Sequence, residues 1–225
     1  MTYSDLSASP ASARANLAQL LAEKARRAAA RLEFRGAAFA IQSCREPEWI
    51  IAGPSETGKT WGCLSLLDSL LRQHKGAQAA ILRKVHRDLY GTVIADFAKH
   101  FERADIRRYG GEKPEWFDYP NGARLWVGGL DRPGAFLSGA LDYIYGNQVE
   151  EWTLTDWETL TTRTTGRAGN VPEPMLFGDC NPGPPTHWIK ARQGLKLYES
   201  RHEDNPRLFA AEGAITPAGV RTMAT

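Results

Sequence analysis

An eight-residue segment constrains this chain more than any other feature of its sequence. Its residues fit the pattern GxxxxGK[ST], and they are Gly53, Pro54, Ser55, Glu56, Thr57, Gly58, Lys59 and Thr60. A short apolar run at 48–52 precedes the segment, and apolar residues recur at helical spacing over 60–72. This context predicts a strand, a glycine loop and a helix whose N-terminus faces the loop. Backbone N–H groups and the positive helix end can then surround a phosphate group.

Two side chains of this segment have specific chemistry. In a phosphate-binding loop the lysine, here Lys59, reaches the β- and γ-phosphates of a nucleotide. The hydroxyl that follows it, here on Thr60, binds Mg²⁺. An ordinary glycine turn is the alternative interpretation of 53–60. The flanking strand and helix favour nucleotide binding.

A phosphate-binding loop needs a second element, a strand that ends in a carboxylate. The candidate strand is 141–146, and it runs into Asn147 and Gln148. Neutral amides can hydrogen-bond a water molecule but cannot take its proton. Glu150 and Glu151 follow within one turn, so one of them is the predicted catalytic carboxylate, with Glu151 slightly favoured. The alternative is that both glutamates form the exposed acidic start of a helix.

Predicted strands and helices alternate along the chain, which is typical of an α/β fold with a mainly parallel sheet. The segments 36–44, 48–52, 79–82, 141–146 and 175–178 are the predicted strands of this sheet, and 116–119 with 123–127 a predicted hairpin. Helices are predicted over 9–32, 60–72, 88–103 and 155–163, the last with Thr155 as its N-cap. We therefore expect a helical arm at 1–35, one α/β domain at 36–210 and a tail or linker at 211–225.

Composition excludes several classes of protein. Of the 225 residues, 42% are hydrophobic and 24% charged, which argues against a wholly disordered chain. The sequence has no apolar run of membrane-spanning length and no secretory signal pattern. Its three cysteines are far apart, which argues against a disulfide framework or a zinc site and fits a reducing cytosol. Residues 72–108 hold nine Lys and Arg against four acids, an asymmetry that can favour a polyanion.

Four segments, taken in order, resemble the N-terminal ATPase domain of the large terminase subunit of tailed phages. The first is the loop at 53–60, and the second is Gly-Leu-Asp-Arg-Pro at 129–133. The third is Gly-Asp-Cys-Asn-Pro at 178–182 followed by Pro-Pro-Thr-His-Trp at 184–188, which is similar to the family's Asn-Pro and then His-Trp. The fourth is Asp-Asn-Pro at 204–206. Each segment is weak evidence alone, whereas the ordered set is specific. The resemblance covers about residues 36–210.

The resemblance implies a three-layer P-loop ATPase that uses ATP and Mg²⁺ to drive double-stranded DNA into a procapsid. It also implies assembly as a homo-oligomeric ring, with a portal protein and a small terminase subunit as partners, in the cytoplasm of the bacterial host. By position, Asn181 matches the motif that couples nucleotide state to subunit movement. Gln42 matches a residue type that recognises adenine, although a surface glutamine is an equal alternative.

The chain departs from the family pattern at three places. Many relatives carry an arginine inside the loop where this chain has Ser55 and then the acidic Glu56. Many also have acidic residues at the end of the second strand of the phosphate site. In this chain, if the candidate strand 141–146 ends there, those positions are Asn147 and Gln148. Relatives usually continue into a nuclease domain, whereas this sequence ends at Thr225. We therefore expect a fragment or truncated subunit without nuclease activity, and a nucleotide-binding structural module without turnover is the alternative function.

Overall fold

The computed structural model describes residues 33–132, 139–210 and 213–223. The predicted N-terminal helix at 9–32 and Pro133 lie outside the described residues. The helices of the described part are α1 (Gly36–Ala40), α2 (Lys59–Gln73), α3 (Val93–His100), α4 (Leu154–Thr161), α5 (Trp188–Ala191) and α6 (Pro217–Met223). None of these helices is long and apolar enough to cross a membrane.

The strands of the described part belong to one sheet. They are β1 (Glu48–Ala52), β2 (Gln78–Arg83), β3 (Arg107–Tyr109), β4 (Trp116–Asp118), β5 (Arg124–Gly129), β6 (Tyr143–Gly146), β7 (Met175–Cys180) and β8 (Lys196–Glu199). Their order across the sheet is β3-β4-β5-β2-β6-β7-β1-β8. The six strands from β5 to β8 in that order pair in parallel, whereas β3 and β4 add an antiparallel edge. The expected α/β fold with a mainly parallel sheet is confirmed.

Burial explains why the central strands read as continuous apolar runs. Every residue of β7 is buried, and so are all residues of β2 except Gln78. Neither face of these strands contacts solvent, so apolar residues do not alternate with polar ones along them, as is usual in parallel sheets. The edge strand β3 is instead fully exposed. This difference places the core around β2, β6, β7 and β1.

Helices cover the two faces of the sheet and make three layers. On one face α2 packs against β7, β6 and β2. On the other face α4 and α5 contribute to a buried apolar cluster, which comprises Ile50, Ala80, Leu82, Leu141, Ile144, Val149, Trp152, Trp157, Leu160, Leu176, Cys180 and Ile189. Alternate residues of each strand thus serve opposite faces.

Parallel pairing brings three loops to one edge of the sheet. In the β1–β7 register Ala52 pairs with Cys180, and in the β6–β7 register Gly146 pairs with Gly178. The loops after β1, β6 and β7 therefore start side by side at the carboxyl edge, which is where open α/β sheets bind ligands.

One predicted strand is wrong, because residues 36–43 form helix α1 and a following 3₁₀ turn. Ala37, Ala38 and Ile41 are buried, and their spacing of three and four residues puts them on one helical face. That face lies against α2 at Gly62, where an added Cβ would be 3.1 Å from Ile41 Cδ1. The short apolar run is thus a helix that packs closely on another helix.

The N-cap of α4 also differs from the prediction. Thr153, not Thr155, caps this helix, since its hydroxyl accepts a bond from Asp156 N at 3.2 Å. The Asp156 carboxylate in turn accepts a bond from Thr153 N at 2.7 Å. A short acid at the third helical position closes this reciprocal capping box. The predicted helix at 88–103 is interrupted too, with a 3₁₀ turn at 86–89 before α3.

Candidate functional site

The loop at 53–60 has the backbone geometry that its glycines predict. It leaves β1 after Ala52 and enters α2 at Lys59. Gly58, directly before the helix, has a φ of +82°, and Glu56 has a φ of +59°. Left-handed backbone is easy for glycine but costly for most other residues. The chain therefore turns sharply enough to direct the N-terminus of α2, with its positive dipole end, toward the loop.

Gly53 is fixed by a close approach of two segments. A Cβ at this position would lie 2.2 Å from the carbonyl oxygen of Ser200, just after β8. Gly53 N donates to Cys180 O at 3.2 Å, and Ser200 N donates to Ala52 O at 2.7 Å. The start of the loop is thus held between the ends of β7 and β8, and only glycine fits there without a shift.

Lys59 lies in the centre of the loop. Its side chain is buried, and its Nζ donates to Gly53 O at 2.7 Å and to Pro54 O. The same Nζ lies 3.4 Å from Asn181 Oδ1. Burial lowers the pKa of Lys59, and the negative charge of Asp179 opposes that shift. The loop carbonyls therefore hold the ammonium group at the centre of the loop.

A buried carboxylate meets the first turn of α2. Asp179, at the end of β7, is 2% exposed. Its Oδ2 accepts a bond from Thr60 Oγ1 at 2.5 Å, and its Oδ1 accepts bonds from Gln148 N at 3.0 Å and Asn147 Nδ2 at 3.1 Å. Asp179 is not among the site residues predicted from the sequence, although it stands in the segment 178–182 that resembles the coupling motif. The available signal was an acid near the end of an apolar strand, but the contact with Thr60 depends on the sheet order.

The two glutamates after β6 have different surroundings. Glu150 Oε1 accepts a bond from Asn181 Nδ2 at 2.8 Å, whereas its Oε2 is buried with no hydrogen-bond partner among the described residues. Burial raises the pKa of Glu150. The Glu151 side chain is 39% exposed and pairs with Arg83 at 3.3 Å. Arg83 also donates to the Gln148 side chain, which turns that amide toward β2.

Two cavities flank the loop. The larger one has a volume of about 620 Å³, and its walls include Ser55 through Thr60, Asn147, Gln148 and Asp179. Residues beyond β8 also line it, among them Arg207, Arg221 and Thr222, and Thr222 Oγ1 donates to Glu56 Oε2 at 3.1 Å. The smaller one, of about 250 Å³, is lined by Gly53, Pro54 and Glu150 among others. Asn181 lines both cavities and thus lies between Lys59 and Glu150.

Most residues that the sequence singles out lie in this region, and Gln42 does not. Its Nε2 donates to Ala38 O and to Gly62 O, both at 3.0 Å, so its amide ties α1 to α2. Gln42 lines neither of the two cavities. His187 lies next to Glu150, with its Nε2 3.1 Å from Glu150 O, and Trp188 Nε1 donates to Trp152 O at 2.7 Å.

No family model and no curated protein matches the chain. Solved structures do match, and structures of three phage large terminases are among them. A large terminase from a thermophilic bacteriophage, below called the thermophilic-phage terminase, has a TM-score of 0.65 at 15% identity, over 80% of this chain and 48% of that chain. The large terminase ATPase domain of Thermus phage P74-26 has a TM-score of 0.53 at 11% identity, over 74% of this chain and 80% of that chain.

The third match is the large terminase of bacteriophage HK97, with a TM-score of 0.54 at 10% identity, over 79% of this chain and 38% of that chain. Further structures of the thermophilic-phage terminase hold ATP-γ-S and ADP. The chain matches about half the length of that terminase. The described domain therefore has the α/β P-loop fold of phage large-terminase ATPase domains, the family that its ordered motifs resemble.

Proposed function

We propose that this chain is the ATP-hydrolysing motor domain of a phage large terminase. The observation that carries the proposal is the loop at 53–60, which presents the N-terminus of α2 and a buried lysine beside a 620 Å³ cavity. The thermophilic-phage terminase, of similar fold, holds ATP-γ-S and ADP in crystals. Arg207 and Arg221 add positive charge to the same cavity wall. A nucleoside triphosphate matches this cavity in size.

The proposed binding residues are those of the loop, from Gly53 to Thr60. Loop N–H groups and Lys59 take the phosphate oxygens, which requires the Lys59 Nζ to exchange its bonds to Gly53 O and Pro54 O for bonds to phosphate. The contacts of Gln42 with α1 and α2 do not support its proposed role with adenine.

The residues near Thr60 fit Mg²⁺. This ion prefers oxygen ligands and is held by one or two carboxylates together with substrate phosphates. The Thr60 hydroxyl is such an oxygen, and a buried carboxylate lies 2.5 Å from it. Bound with the nucleotide, Mg²⁺ supplies positive charge that stabilises the phosphates during transfer.

Hydrolysis needs a base for the attacking water, and we propose Glu150 for this role. The water oxygen forms a bond to the γ-phosphorus, the bond to the β–γ bridging oxygen breaks, and the water proton moves to the carboxylate. An unbonded oxygen and a raised pKa both favour proton uptake by Glu150. Asn181 contacts both Lys59 and Glu150, so it is the proposed residue that couples phosphate binding to movement.

The alternative is a structural module that binds nucleotide without turnover. The position of Asn147 and Gln148 favours this alternative. β6 ends at Gly146, so these two amides directly follow the strand, and amides cannot take a proton from water. Single-turnover hydrolysis of ATP distinguishes the two functions. We expect phosphate release by the unmutated chain and none by Lys59→Ala. Nucleotide binding without hydrolysis, even with portal and DNA present, would favour the structural module.

Double-stranded DNA, a portal protein, a small terminase subunit and further copies of this chain are the proposed partners, inside the bacterial host. The support from the basic stretch at 72–108 is limited. Five of its nine cations form ion pairs within the domain, and these are Arg72, Arg83, Lys84, Arg87 and Arg108. We therefore expect weak, salt-sensitive DNA binding without sequence preference, measurable by fluorescence anisotropy at several salt concentrations.

A further inference from the structure

The carboxylate of Asp179 is buried, yet all its hydrogen-bond donors are neutral. They are the Thr60 hydroxyl, the Asn147 amide and the Gln148 N–H. In the described part of the chain no Lys, Arg or His forms an ion pair with Asp179. Buried charges in proteins are normally paired or coordinate a metal. Lys59 interacts electrostatically with Asp179, but its Nζ donates to Gly53 O, Pro54 O and Asn181, so no cation of the described residues contacts the carboxylate directly.

The position of this carboxylate indicates which cation would neutralise it. Asp179 and Thr60 both line the larger cavity, where the loop at 53–60 is open to a phosphate group. No cluster of three or more His, Cys, Asp or Glu residues suited to a metal occurs within the described ranges. A cation that brings part of its own coordination shell is thus required. Mg²⁺ bound to nucleotide phosphates and water is such a cation.

We propose that Asp179, at the end of β7, is the carboxylate that holds the Mg²⁺ of the bound nucleotide. The inference rests on the proposed nucleotide binding. It differs from the family pattern, in which the acids stand at the end of the second strand, here β6. In this chain that tip carries Asn147, whose amide donates to Asp179 and positions it. In this chain the acid thus stands on the neighbouring strand β7, and an amide follows β6.

The other two acids near the loop are less suited to this role. Glu151 pairs with Arg83 and lines neither of the two cavities. Glu150 lines the smaller cavity and not the larger one, and its carboxylate accepts a bond from Asn181, which lines both. Neither glutamate contacts Thr60, whereas Asp179 does. If Asp179 holds the metal, then the metal ligand and Asn181 lie only two positions apart at the end of β7.

The test is the dependence of nucleotide affinity on Mg²⁺, measured without hydrolysis. The affinity of the full chain for fluorescent ADP is measured in Mg²⁺ and in EDTA, for the unmutated protein and for Asp179→Asn. We expect Mg²⁺ to tighten binding to the unmutated chain and to change binding to Asp179→Asn by less than about twofold. Affinity in EDTA should rise in the variant, because a negative charge beside the phosphates is lost.

Asp96→Asn is the matched control. Asp96 also lines the larger cavity, and the change removes the same charge at a residue that takes no part in the hydrogen bond between Thr60 and Asp179. We expect this variant to keep the full effect of Mg²⁺. If Mg²⁺ tightens ADP binding to Asp179→Asn as much as to the unmutated chain, the inference is wrong. It is also wrong if Asp179→Asn keeps this effect of Mg²⁺ and either Glu150→Gln or Glu151→Gln loses it. If Mg²⁺-ADP does not bind the unmutated chain, the proposed function fails together with this inference.

A second measurement avoids the risk that Asp179→Asn does not fold. Crystals of the unmutated chain are grown with ADP and Mn²⁺, a substitute that prefers the same oxygen ligands. We expect the anomalous signal of Mn²⁺ beside Thr60 and Asp179, with either a direct bond or one water between metal and carboxylate. A signal at Glu150 or Glu151 instead overturns the inference and leaves nucleotide binding intact.

Discussion

Replacing Glu150 by glutamine tests the proposed chemistry most sharply. Glutamine has nearly the same shape, so the bond between the side-chain oxygen and Asn181 Nδ2, 2.8 Å long in the unmutated chain, can persist. The variant cannot accept a proton from water. We therefore expect single-turnover hydrolysis to slow while nucleotide affinity stays within a few-fold of the parent.

The expected loss follows from the role of a general base, which typically contributes about 10²–10⁴-fold to the rate. This corresponds to about 3–5 kcal/mol in the activation free energy. Glu151→Gln is the matched control, because it makes the same chemical change one residue away. It weakens only the partly exposed ion pair with Arg83, at 3.3 Å, and such pairs contribute about 0.2–1 kcal/mol. The control should therefore lose less than about fivefold in rate.

The pH dependence provides a second readout of the same group. The base must be ionised to act, so the rate rises as pH increases through the pKa of Glu150. Burial raises this pKa, which shifts the acidic limb of the profile to higher pH than for an exposed glutamate. Glu150→Gln should remove that limb. Parent rates in Glu150→Gln, or a larger loss in Glu151→Gln, would refute the assignment of Glu150 as the base.

Two further predictions concern the framework of the site. Gly53→Ala should destabilise the fold by about 1–3 kcal/mol in urea unfolding, because its Cβ would meet the Ser200 carbonyl oxygen at 2.2 Å. Gly91→Ala, where the space for a Cβ is open, is its control, and an equal loss in both variants would contradict the close-approach argument. Thr153→Ala should cost about 1 kcal/mol of stability through loss of the α4 cap, whereas Thr155→Ala should be nearly neutral. The reverse order in thermal unfolding would disprove this cap.

Local chemistry made the loop and its helix predictable. Glycine at 53 and 58, lysine at 59 and an apolar run before them specify strand, turn and helix within about 25 residues. The hairpin of β4 and β5 was predictable for the same reason, since Asn121 and Gly122 make a tight turn and Gly122 has a φ of +83°. Both features depend on neighbours along the chain.

Contacts between distant segments were not predictable from the sequence. Asp179 meets Thr60 across 119 positions, and that contact exists only because β7 lies between β6 and β1. The different surroundings of Glu150 and Glu151 also come from distant partners, Asn181 for one and Arg83 for the other. The prediction of a strand at α1 is wrong because a short apolar run fits the periodicity of a helix as well as that of a strand. The packing of α1 on Gly62, a contact between distant segments, favours the helix.

Nucleotide binding by the loop at 53–60 is tested most directly by a crystal structure of this chain with Mg²⁺ and a non-hydrolysable ATP analogue. We expect the triphosphate in the loop at 53–60, with Lys59 Nζ moved from the loop carbonyls to the β- and γ-phosphate oxygens. We also expect the Glu150 carboxylate within reach of a water molecule in line with the γ-phosphorus. A nucleotide bound elsewhere, or a loop that keeps Lys59 on Gly53 O with no phosphate nearby, would show that this loop is not the nucleotide-binding site.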